Sequence, residues 1–251
     1  MKFKYLISLA LLAIAGTSLA TSKTITFATE ATYPPFESVA ASGELQGFDI
    51  DVAKALCKHM KVQCKFANQP FDSLIPSLNI GKFDAVIAAM NITAERKKTV
   101  NFTEPYYIDT ASFIAPKNVN FDVTPGALKN KIIGVQQGTS LESYLKATYG
   151  KNITIKSYPS EENAFSDLAA GRIDAVLGDT PLQQLWLKQH GKGGYHLLGK
   201  AISDEAYFGA GYGIAVSKTN QALLVQLNQA LKAIQKDGSL QKIETKYFPK
   251  S

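Results

Sequence analysis

Beyond Ala15 the 251-residue chain holds no apolar run that approaches the ~20 residues a membrane-spanning helix needs. Cysteine is scarce: Cys57 and Cys64 are the only two, and neither follows the small-residue stretch near residue 20 where a lipid-modified cysteine would stand. A lipid tether is thereby excluded. No low-complexity linker divides the chain, and no basic run occurs, because the lysines are scattered singly without interleaved aromatics. A nucleic-acid partner is therefore not expected, although the pI is near 9.1. Charged residues make up 19% and apolar ones 45%, which excludes a disordered chain and leaves enough apolar surface for a sizeable core.

What is present begins with a leader. Met1-Lys2-Phe3-Lys4 is basic, Tyr5 to about Ala15 is apolar, and Gly16 to Ala20 places small residues at the last and third-last positions before a cut. That order is a secretory signal peptide over residues 1–20, with cleavage expected after Ala20. Losing Lys2 and Lys4 takes the net charge from +6 to +4, enough for weak attraction to an anionic membrane surface. Export without a tether fits a periplasm better than the outside of a single-membrane cell, where a free protein would be lost. In that oxidising compartment Cys57 and Cys64, at a helix end and in the next strand, are able to pair; two free buried thiols are the alternative.

A weak internal repeat organises the rest. Leu78 to Ile87 (LNIGKFDAVI) reappears as Leu168 to Leu177 (LAAGRIDAVL), each reading as a helix ending at glycine, a tight turn and a short buried strand. Helical stretches precede both copies, Phe71 to Leu78 and Asn163 to Leu168. Two copies 90 residues apart are too distant for a solenoid and suggest two lobes of similar build. Thr24 to Phe27 and Ile132 to Val135 read as strands; Ile50, Ala53, Leu56, Cys57 and Met60 form one helical face. Asp49 and Asp51 suit the first turn of that helix. Further helices are expected from about Ser140 to Tyr149 and Gln221 to Gln235, and a last short one ends near Tyr247. The fold class is α/β.

In open α/β sheets ligands sit beyond the carboxyl ends of the strands. The residues that follow the expected strands include Glu30 and Tyr33, then Ala88, Ala89 and Asn91 with Arg96 close behind, then Gln137, Thr139 and Ser140, and finally Asp179. Two lobes facing each other would bring these tips to one cleft. Its ionic groups would be one cation, Arg96, and two anions, Glu30 and Asp179, which complement an α-amino acid carrying a further positive charge. Arg96 can hold a carboxylate by two parallel hydrogen bonds, Asp179 can accept from an ammonium, and Glu30 is left for a distal cation. Tyr33 and Phe71 could flank a stem or a flat guanidinium. Taken singly, each residue has an ordinary alternative. Arg96, one of only two arginines, would make a surface ion pair; Asp179 would cap the helix near Pro181; Glu30 would be a solvated loop carboxylate; Phe71 would be core and Tyr33 a loop anchor.

Together they resemble a known family, the periplasmic solute-binding proteins for polar amino acids that serve ABC importers. The motifs run through the mature chain: Ala31 to Glu37 (ATYPPFE), Gly47 to Asp51 (GFDID), Phe71 to Leu78 (FDSLIPSL), Asp84 to Ile87, Ile92-Thr93 with Glu95-Arg96, Gln137 to Thr139, Gly171 to Asp174 and Tyr207 to Gly209. The pattern is most similar to arginine-binding and lysine/arginine/ornithine-binding proteins, whose cysteine pair matches Cys57 and Cys64. The resemblance implies a two-lobed type II periplasmic binding protein fold with two crossover hinge strands, placed near Ala111–Ala115 and Gly211–Val216. One lobe would comprise 21–110 with 212–251, the other 111–211. It implies that Arg96 binds an α-carboxylate and Asp179 an α-ammonium, assisted by backbone amides near Ala89, Asn91 and Ser140, the last at a helix start that favours an anion. It places the aromatic positions on Tyr33 and Phe71 and the selecting acid on Glu30. Relatives often carry Ser or Gly at Ala88 and Ala89, and Ser or Asp at Asn91, so hydroxyl contacts are missing here and Glu30 stands in for the acid.

The expectation is a monomeric binding protein that closes on a basic amino acid, arginine foremost with lysine and ornithine next, and delivers it to a membrane-embedded permease. No cofactor, no metal and no catalysis are expected. The competing classes are a periplasmic enzyme on the same fold, such as a cyclohexadienyl dehydratase, a receptor sensing domain, and a structural or adhesive protein.

Overall fold

The computed structural model describes residues 23–190 and 194–249, so the expected leader and its cleavage after Ala20 lie outside the described residues. The chain opens with strands β1 (Thr24–Thr29), β2 (Thr32–Tyr33), β3 (Glu37–Val39) and β4 (Leu45–Gln46), followed by α1 (Phe48–Met60), β5 (Gln63–Asn68), α2 (Phe71–Asn79), β6 (Ala85–Val86), α3 (Ala94–Lys97) and β7 (Val100–Phe102). Next come β8 (Ala111–Pro116), β9 (Ile132–Gln136), α4 (Ser140–Tyr149), β10 (Thr154–Tyr158), α5 (Glu161–Ala169), β11 (Ala175–Asp179), α6 (Thr180–His190), β12 (Tyr195–Ile202) and α7 (Glu205–Phe208). The chain then finishes with β13 (Ala215–Ser217), α8 (Gln221–Lys236) and α9 (Ser239–Tyr247).

Two five-stranded sheets result, ordered β5-β1-β6-β13-β7 and β10-β9-β11-β8-β12, with β2-β3-β4 as a small third sheet. In each large sheet the fourth strand alone, β13 or β8, runs against the others. The two copies of the sequence repeat occupy the same place, β6 and β11 being third in their sheets. Each turn carries its glycine at positive φ, Gly81 at 75° and Gly171 at 67°, a conformation that side chains with a Cβ disfavour.

The first sheet is buried on both faces. Ile25 and Phe27 of β1 point with Leu56 of α1 and Leu227 and Leu231 of α8 into one cluster, while Ala28 joins Leu74 and Leu78 of α2 on the opposite face. Each leucine so enclosed contributes roughly 1.5–3 kcal/mol. In the second lobe Phe113, Ile133, Val135, Leu145 and Leu177 form a separate cluster. A disulfide ties α1 to β5 through Cys57 and Cys64, with Cα atoms 5.9 Å apart.

The chain passes from the first sheet to the second between β7 and β8, and returns between α7 and β13. β8 lies wholly inside the second sheet, with Phe113 and Ile114 fully buried, so the first passage falls on residues 103–110, ahead of the apolar run that suggested it. The two passages touch. Tyr107 and Tyr212 form an antiparallel bridge, and Tyr212 pairs in the same way with Asn91.

Candidate functional site

The strand tips converge where the lobes meet. A small hollow of about 10 Å³ is lined by Tyr33, Phe71, Ala88, Ala89, Asn91 and Arg96 from the first lobe and by Gln136, Thr139, Ser140, Leu141 and Asp179 from the second. All the expected site residues are on that wall except Glu30 and Gln137. Glu30 sits one layer back, accepting from Gln136 Nε2 at 2.7 Å and from Thr32 Oγ1 at 3.0 Å. Gln137 turns its side chain out of the cavity and donates to Asp72 at 2.8 Å. Gln136, the last residue of β9, and Leu141 take wall positions that strand and loop patterning did not single out.

Local structure explains the placements. Thr93 caps the single turn of α3 by accepting from the Arg96 amide at 3.2 Å. Thr139 caps α4 by accepting from the Glu142 amide at 3.1 Å, and Glu142 reaches back to the Gly138 amide at 2.9 Å. Gly138 adopts φ 73°, which side chains with a Cβ disfavour, and a Cβ there would press to 3.1 Å from Asp72 Cβ; its carbonyl accepts from Arg96 Nη2 at 3.2 Å. The other guanidinium nitrogen, Nη1, donates to Asn91 O at 3.0 Å. Among the described residues no carboxylate lies within ion-pair distance of Arg96, so the surface-pair alternative does not hold. The guanidinium lies 5.2 Å from the Phe71 ring centroid, so that ring stacks on the protein's own arginine.

Burial dominates the electrostatics. It lowers the Arg96 pKa to about 10, partly offset by Asp179, which leaves the guanidinium charged at neutral pH. Burial also raises Asp179, against hydrogen bonds from Tyr212, Tyr33 and Asp109 and the charge of Arg96. Glu30 is raised by burial, opposed by its bonds from Gln136 and Thr32. Behind the wall stand acids that the sequence did not flag: Glu161, only 1% exposed and held well above the usual carboxylate range by burial, and Asp109 at the first passage.

The Ala89 amide itself donates to Asp49 Oδ2 at 2.7 Å, which also accepts from Tyr106 at 2.8 Å. Asp49 is fully buried and holds Ala89 at a φ of 43°, a role beyond helix-dipole compensation.

The walls thus oppose a guanidinium and a carboxylate across the lobe junction, with aromatic faces beside them, and can clasp a small zwitterion. Among the described residues no group of three or more His, Cys, Asp and Glu side chains could hold a metal ion. Residues 25–250 match the bacterial extracellular solute-binding proteins, family 3. The chain belongs to that family. ABC transporter arginine-binding protein 1 of Escherichia coli K12 is 48% identical over 98% of this chain and 99% of its own length. The histidine-binding periplasmic protein of Salmonella typhimurium is 41% identical, covering 89% of this chain and 87% of itself. A solved Salmonella typhimurium periplasmic binding protein, described for its high arginine specificity, superposes with a TM-score of 0.85 at 42% identity over 90% of this chain and all of its own.

In this family 3 protein the lobes are joined directly by side chains. Tyr33 donates to Asp179 at 2.7 Å, Ser140 to Asn91 at 2.7 Å and Gln136 to Glu30 at 2.7 Å, each crossing from one lobe to the other. The type II two-lobed fold accounts for this geometry, since both passages between the sheets run side by side, bridged at Tyr107 and Tyr212.

Proposed function

We propose that this protein is the periplasmic substrate-binding component of an ABC amino-acid importer, closing about its hinge on a basic L-amino acid, arginine foremost, with lysine and ornithine next. The observation that carries the reading is that Arg96 and Asp179, from opposite lobes, line one cavity. A ligand α-carboxylate paired with Arg96 and an α-ammonium paired with Asp179 would leave neither buried charge alone, and an unpaired one costs on the order of 3–5 kcal/mol. Glu30, behind Gln136, supplies the second negative charge that a cationic side chain needs. The names of the relatives point to the same ligand class, one to arginine and one to histidine.

The lobes are taken as 21–110 with 212–251, and 111–211; the membership of the two sheets supports that division. The described residues contain no helix long and apolar enough to cross a membrane. The protein acts as a monomer in the periplasm, released from its leader after Ala20, and its closed form is what the permease recognises. It binds without turnover, as the relatives' names describe binding proteins.

A thermal-shift panel of the twenty amino acids with ornithine and citrulline tests this, because a ligand that binds only the native state raises the melting point. Arginine, lysine and ornithine should shift it, and Arg96→Ala should abolish every shift. No response to any basic amino acid would overturn the ligand class, and turnover of prephenate or arogenate would overturn the binding-only role.

A further inference from the structure

Asp109 lies in the first passage between the lobes and is absent from the cavity wall. It is nevertheless tied to it. Asp179 pairs with Ala111 across the β11–β8 ladder, and the Thr180 amide donates to Thr110 O at 2.7 Å, which brings the start of β8 alongside the end of β11. The carboxyl groups of Asp109 and Asp179 fall within hydrogen-bonding reach of each other. Asp179 ends β11, and Asp109 lies two residues ahead of Ala111, the ladder partner of Asp179 at the start of β8. Tyr212, fully buried in the second passage, donates to Asp109 Oδ2 at 2.7 Å. Tyr33 donates to Asp179 Oδ2 from the first lobe.

Asp179 is buried and Asp109 half-buried, and adjacent carboxyls so shielded resist ionising together without a counter-charge. The groups facing the pair are Tyr33, Tyr107 and Tyr212, the acid Glu161, and one cation, Arg96. Three phenols and a further acid do not supply that charge. A single guanidinium, held by the carbonyls of Asn91 and Gly138, meets neither carboxyl at ion-pair distance. A shared proton, on Asp109 and donated to Asp179, would relieve the pair. The direction agrees, since burial and the neighbouring Asp179 carboxylate hold Asp109 well above the usual carboxylate range.

We propose that Asp109 is a positioning residue of the solute site, and that an incoming α-ammonium takes the place of the proton it shares with Asp179. This rests on the reading that Asp179 binds the ammonium. One proton then passes from Asp109 to solvent for each ligand bound, and both carboxylates face one ammonium. Tyr212 places Asp109 from the second passage, so the ammonium subsite is anchored to both crossovers.

Calorimetric titration with arginine, in buffers of different ionisation enthalpy across about pH 5–8, reads the released proton directly. Where the pair is protonated, the wild type should release close to one proton per arginine, and Kd should fall about tenfold per pH unit as pH rises. Asp109→Asn keeps a donor toward Asp179 with no proton to lose, so it should bind with buffer-independent heats and a flat pH profile. Wild-type heats independent of buffer and pH overturn the proposal without help from the variant. So does a proton release that Asp109→Asn leaves unchanged. Absence of heat from every amino acid would sink the solute site itself and this proposal with it, whereas binding without proton release sinks this proposal alone.

Discussion

Gln137 Nε2 donates to Asp72 Oδ2 at 2.8 Å, joining the two lobes at a point where neither side chain lines the cavity. The bond exists only when the lobes are together, so it weights the open–closed equilibrium without touching a ligand. A net hydrogen bond of about 1 kcal/mol corresponds to roughly a fivefold change in closure. Gln137→Ala and Asp72→Ala should therefore each weaken arginine and lysine by the same factor, about threefold to tenfold, with rank order unchanged. Calorimetry on both ligands checks this; a loss confined to one of them would show that Gln137 reads the solute directly.

Much of this architecture was legible in the sequence, because its cues are local. The α4 boundaries at Ser140 and Tyr149, the start of α8 at Gln221 and the matched turns at Gly81 and Gly171 follow from caps, apolar periodicity and repeat. What was not legible depends on contacts between distant parts of the chain. Asp49 lies in the first turn of a helix, where dipole compensation is reason enough for an acid; that it meets the Ala89 amide 40 residues away is a property of the fold. Gln136 and Gln137 could not be ranked from the pattern, since the wall position depends on where β9 ends. Asp109 and Tyr212 sit in irregular passages, where no periodicity distinguishes an exposed side chain from one aimed inward.

Glu30 is the expected selector, and its placement behind Gln136 makes a specific prediction. Burial raises its pKa while the bonds from Gln136 and Thr32 favour the ionised form. A cationic side chain brought near it adds a second favourable charge; a neutral one does not. Glu30→Gln keeps the shape and removes the charge. Affinity for arginine, lysine and ornithine should fall about 10- to 100-fold, equivalent to about 1.4–3 kcal/mol, while glutamine changes by less than about threefold. Equal losses across the four ligands would reject the selector role.

The disulfide closes a short loop, with a sequence separation of 7, at the end of α1 and away from the cavity wall. A loop of this length is worth roughly 2–3 kcal/mol in chain entropy, or a fall in Tm of about 5–10 °C for a chain of this size. The double variant Cys57→Ala/Cys64→Ala should show that loss in scanning calorimetry and bind arginine within about twofold of wild type. A large affinity loss at unchanged Tm would mean that α1 transmits the constraint to the site.

Asp49 provides a pH signature of stability rather than of binding. Its pKa is raised to about 7, with burial the largest cause and the bonds from the Ala89 amide, Tyr106 and Glu37 working the other way. Glu37 is buried beside it, and burial with the neighbouring Asp49 charge raises its pKa well above the usual range; among the described residues Glu37 Oε2 and Asp49 Oδ1 have no other partner. A carboxyl raised on folding binds a proton more tightly in the native state than in the unfolded chain, where its value is near 3.8. Its contribution is therefore fully present below about pH 4 and is lost as pH rises toward 7. For an isolated group a shift of that size is on the order of 4 kcal/mol, and the neighbouring Glu37 carboxyl reduces what one substitution removes. Asp49→Asn does not titrate, so the stability of wild type relative to the variant should decline steadily from about pH 4.5 to 7 and level off above. Denaturant unfolding of both proteins at several pH values checks this, and a difference that stays constant with pH would show that Asp49 is ionised throughout.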